Sequence, residues 1–115
     1  MALAFKVRSA ERDAQTDSER LGAISAAVDA AVAAICKERD ALRARVDAAR
    51  DQASFATGTD YDEYLTREAK DAARIKSYEQ QMTSGEQRTQ ELERQLAGLS
   101  AIQEVFGRHF AGKVR

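Results

Sequence analysis

The sequence predicts an all-α chain: an antiparallel two-helix coiled-coil hairpin with a short C-terminal amphipathic helix, completed as a helical bundle by dimerisation. Three observations carry that expectation. The 115 residues contain no proline, and Ala, Glu, Arg, Gln, Lys and Leu, all good helix formers, dominate. Apolar residues recur at alternating spacings of four and three, the signature of a helix-helix seam. A single glycine-containing break near Gly58 separates two runs of similar length.

Residues 1–15 read as an N-terminal arm or a helix extension. Leu3, Phe5 and Val7 alternate with small or charged residues over too few positions to define a strand. Val7, Ala14 and Leu21 keep a seven-residue spacing, which would carry the helix back toward Ser9. Helix one is expected over 16–54. Thr16 with Glu19 has the form of a capping box, in which side chain and backbone satisfy two orphan N–H groups. One seam column then holds Leu21, Val28, Ile35, Leu42 and Ala49. The other holds Ser25, Val32, Arg39, Val46 and Ala53.

Residues 55–60 form the expected loop, closed by Gly58. Asp60 with Glu63 makes a second capping box and puts negative charge at a helix start. Helix two is expected over 61–98, with a seam of Ile75, Tyr78, Met82, Gly85, Thr89, Leu92, Leu96 and Leu99 that continues to Phe106 and Phe110. The helix is read as continuous through Gly85. A break is expected near Gly98, because a glycine stop and the Ser100 start coincide there. Residues 99–115 remain as a separate amphipathic, basic segment.

Folding the hairpin about Thr57 would lay residues 23–35 against residues 79–91. The first stretch reads AISAAVDAAVAAI and the second EQQMTSGEQRTQE. The most apolar part of one helix would thus face the most polar part of the other. A helix that is apolar nearly all round needs cover on more than one side. Two covers are expected: the C-terminal segment folded back, or a second copy of the chain. The expected self-association residues are Ile24, Ala27, Val28, Ala30, Ala31, Val32, Ala34 and Ile35. The expected partner-binding residues are Ile102, Val105, Phe106, Arg108, His109, Phe110, Lys113 and Arg115, an amphipathic segment with local positive charge and no acid after Glu104.

Charge and motif content narrow the function classes. A formal net charge of −1 exerts no overall pull on nucleic acid or anionic lipid. The basic residues of helix one are interleaved with acids, so nucleic-acid binding is confined to the C-terminal patch as a weak alternative. The apolar run ending at Cys36 is shorter than the ~20 residues of a membrane span, and no secretory leader is read at the start. A lone cysteine fits a reducing compartment, and a cytoplasmic location is expected. Cys36 beside the seam reads as a buried thiol, and His109 as a solvent- or partner-facing side chain.

No phosphate-binding glycine loop, catalytic constellation or metal-ligand spacing is present in the sequence. No cofactor, metal or catalytic residue is therefore assigned. The expected function is a non-enzymatic helical interaction module, an adaptor, scaffold or assembly subunit acting as a homodimer. A secretion-associated hairpin, either an export chaperone or a secreted substrate, is the alternative by architecture alone.

Overall fold

Ser9 starts the first helix. In the computed structural model, which describes the backbone of residues 9–57 and 61–113 and the side chains of 9–55 and 70–113, its Oγ accepts a hydrogen bond from the Arg12 N–H at 3.2 Å. Its carbonyl accepts the first helical bond from the Asp13 N–H at 3.0 Å. Glu11 and Asp13 complement the positive end of the helix dipole. The helix α1 spans Ala10–Thr57, 48 residues. The cap expected at Thr16 is not formed. Thr16 lies inside the helix, and its hydroxyl donates to the Arg12 carbonyl at 2.9 Å, a common use of threonine within a helix.

The second helix, α2, spans Tyr61–Phe110, 50 residues. It runs unbroken through Gly85, as expected, and also through Gly98, which corrects the expected break. A helical glycine costs only about 1 kcal/mol relative to alanine, too little to interrupt a helix whose seam continues on both sides. The stop lies further on, at Gly112, which takes the left-handed conformation (φ 83°) that a glycine adopts without strain. The Lys113 N–H closes the turn on the Phe110 carbonyl at 3.1 Å. The separate C-terminal helix is therefore the last turns of α2. The Gly58 turn and the Asp60 cap lie outside the described residues.

The chain thus forms an all-α, two-helix hairpin. It divides into two compact units, Met1–Ala33 with Ala97–Arg115, and Ala34–Leu96. In the second unit Arg43 pairs with Glu93 and Arg50 with Glu86, so α2 retreats by seven residues as α1 advances by seven. That is antiparallel packing. Among the described residues, Val46, Ala49, Gly85 and Leu92 are its buried apolar positions, with Leu92 fully enclosed. At Gly85 a Cβ would come within 2.5 Å of Val46 Cγ2, so only glycine lets the helices approach as closely as they do there.

That contact corrects the expected register. A turn centred on Thr57 sets Val46 against Glu68, and the structure sets it against Gly85, more than two heptads away. The physical reason is the distribution of large side chains. The observed register aligns Ile35 with Leu96 inside the second unit. Inside the first, it aligns Val32 with Leu99 and Leu21 with Phe110. Apolar residues therefore meet apolar residues along the seam rather than a Gln-rich stretch.

Both expected seams hold position by position. Every named seam residue of α1 from Leu21 to Ala53 is half-buried or buried, and so is every one of α2 from Ile75 to Phe106. Phe110 alone is exposed. Two polar seam residues have visible solutions. Arg39 keeps its stem in the seam while its guanidinium reaches Asp40 at 3.3 Å and Glu93 at 3.7 Å. The half-buried Thr89 donates to the Gly85 carbonyl at 2.7 Å.

Candidate interaction surface

Within the first unit, the side of the alanine run that faces α2 is covered by α2 itself. A cleft of about 170 Å³ is lined by Ser25, Val28 and Asp29 from α1 and by Ile102, Gln103 and Phe106 from α2. The pairing of residues 23–35 with residues 79–91 is thereby replaced, and so is the folded-back third helix. Gln103 stands where the seam calls for an apolar residue, and its amide donates to Asp29 Oδ1 at 3.1 Å. A polar side chain at that layer leaves the seam gapped.

The expected self-association residues divide by column. Val28, Ala31, Val32 and Ile35 are half-buried in or beside the seam. Ile24, Ala27, Ala30 and Ala34 are exposed, as are Ala23, Ala26 and Ala33. The expected partner-binding residues lie on one continuous helix end. Ile102, Val105, Arg108, His109, Phe110 and Lys113 are exposed, and Phe106 is half-buried. Phe106 and Phe110 stack tilted, with ring centroids 5.1 Å apart, and His109 lies 6.2 Å from Phe110. Arg115 lies outside the described residues. Cys36 is a free thiol, half-buried beside Ile35.

Among the described residues, four of the five large apolar side chains left open lie in the first unit: Ile24 is 51% exposed, Ile102 49%, Val105 45% and Phe110 36%. The fifth, Phe55 at 83%, lies near the end of α1 in the second unit. The heptad columns show what they replace. Glu38 and Arg88 of the second unit form a two-pronged ion pair, at 2.7 Å and 3.3 Å, in the column flanking the seam. Two heptads earlier on α1 that column holds Ile24, and two heptads later on α2 it holds Ile102. One unit fills the position with a charge pair and the other with two half-exposed isoleucines.

The flanking ion pairs are a feature the sequence reading missed. In the sequence these charges show only as acids interleaved with bases. In the structure they are cross-helix pairs: Glu38 with Arg88, and Arg43 with Glu93 at 2.9 Å. Hydrogen bonding from Arg88 holds the Glu38 carboxyl below its ordinary range. Glu38 and then Glu91 hold the Arg88 guanidinium still more firmly protonated.

Among the described residues, no three His, Cys, Asp or Glu side chains are grouped to hold a metal ion. Among the same residues, no helix is long and apolar enough to cross a membrane. No family model, curated protein or solved structure matches this chain.

Proposed function

We propose that this chain is a non-enzymatic helical interaction module, an adaptor or assembly subunit that works as a homodimer and offers the end of α2 to a protein partner. The observation that supports this is the gathering of Ile24, Ile102, Val105 and Phe110, all open to solvent, in one unit. Contiguous exposed apolar surface on a small protein marks an interaction site more often than a solvated face. The alanines around Ile24 add flat surface of low side-chain entropy, which suits close helix packing. At the end of α2, Phe106, His109 and Phe110 with Arg108 and Lys113 combine aromatic area and positive charge, a composition suited to an acidic protein segment. A cytoplasmic setting accords with the free thiol of Cys36.

Sedimentation equilibrium of the full chain over a range of concentrations tests the reading. The expected result is a mass rising to that of two chains. Ile24→Asp combined with Ile102→Asp should return the single-chain mass while circular dichroism stays helical. A single-chain mass for the unmodified protein at every concentration overturns the reading.

A further inference from the structure

The open side of α1 carries a chemical pattern that names its occupant. Through Ile24, positions spaced by four and three read Arg20, Ile24, Ala27, Ala31, Ala34 and Glu38. The neighbouring stripe reads Glu19, Ala23, Ala26, Ala30, Ala33 and Lys37. Each stripe has an apolar middle and one charge at either end, and the signs at its two ends are opposite. Glu19, Arg20, Lys37 and Glu38 are all exposed. The remaining charge within the run, Asp29, is directed to Gln103 on the other side of the helix.

Resting on the self-association proposed above, we infer that the surface of α1 around Ile24 binds a second copy of the same surface, antiparallel, about a two-fold axis beside residues 28 and 29. A two-fold interface uses one patch on both copies, so the patch must complement itself. Here it does. The antiparallel arrangement sets Arg20 opposite Glu38 of the second copy, and Glu19 opposite its Lys37. Ile24 comes opposite Ala34, large against small. The parallel in-register arrangement sets each of the four charges against its own kind, which is unfavourable. Glu38 keeps Arg88 in this arrangement, since a carboxylate accepts several donors and this one remains partly exposed. The heptad repeat places Ile102 of α2 on the same flank of the seam as Ile24.

The test uses the full chain carrying Cys36→Ser, with a nitroxide label on a cysteine introduced at Ala44, an exposed residue outside the contact. Pulsed electron-spin measurements then read the separation between the two copies. The antiparallel arrangement separates the labels by roughly 45 Å along the axis, and the parallel in-register one brings them to about a helix diameter apart. The short separation overturns the arrangement while leaving self-association standing. The absence of any dimer removes both. A charge exchange gives a second reading: Lys37→Glu should weaken the dimer several-fold, and Glu19→Lys together with Lys37→Glu should restore it. Failure of the double variant to recover also overturns the arrangement.

Discussion

The two units build on the same heptad columns with different chemistry. The second closes its seam with Val46, Ala49 and Leu92, brings the helices together at Gly85, and flanks them with Glu38–Arg88, Arg43–Glu93 and Arg50–Glu86. The first has no buried side chain among its described residues, holds Gln103 in the seam, and turns isoleucine, valine and phenylalanine outward. The contrast teaches where each kind of work is done. The second unit satisfies the flanks around Leu92 within the pair, while Phe55 stands 83% exposed near the end of α1 and Asp71 is buried with one carboxylate oxygen unpartnered. The first leaves apolar residues in the same flanking columns, the surface that the proposed association would cover.

Truncation separates the units most strongly. Leu92 is fully buried, so Leu92→Ala should cost about 2–5 kcal/mol in denaturant unfolding. Ile102→Ala, measured at concentrations too low for association, should cost less than about 1 kcal/mol. Its effect should appear instead as a loss of self-association. Equal costs would show that the first unit is packed as tightly as the second.

Overpacking probes the close approach. Gly85→Leu must displace Val46, whose branched side chain has little freedom to move, and should destabilise by about 1–3 kcal/mol despite the better helix propensity of leucine. The same change at Gly98 meets open space and should be neutral or stabilising. Thermal unfolding of the two variants compares them directly.

The smallest effect is that of acid. The Glu38 carboxyl is depressed in the folded chain. Its contribution is therefore fully present above the unfolded value of about 4.3, and is lost as pH falls through the lower folded value. Arg88→Ala should flatten this part of the stability profile, read by chemical denaturation across that range. The effect is small, because exposed pairs are screened by solvent.

Much of this fold was legible in the sequence. The seam columns of both helices were read residue by residue, because an apolar repeat that must be buried leaves a strong trace. The register was not legible, and charge explains why. A turn about Thr57 would set Glu38 opposite Lys76 and Arg43 opposite Asp71, which are also opposite charges. Ion pairs could therefore not choose between that register and the observed one. The choice falls to Leu96 and Leu99 aligned with Ile35 and Val32, a long-range match that no local pattern reports. Local signals also misplaced the helix ends. Thr16 and Gly98 have the chemistry of a start and a stop, yet a continuing seam outweighs a single cap or glycine. For the candidate surface, the sequence indicated the alanine run and the end of α2 as separate features. Only the register showed that Ile24 and Ile102 occupy equivalent columns.

Arg39 carries a further consequence. It sits at a seam position of α1 and finds its cross-helix anion on α2, at Glu93. Two copies of α1 aligned in parallel through their seams would bring two guanidinium groups face to face, each with only its own neighbouring Asp40 and without the acid that α2 supplies. The homotypic zipper that an alanine- and valine-rich helix could otherwise form would be penalised at this layer.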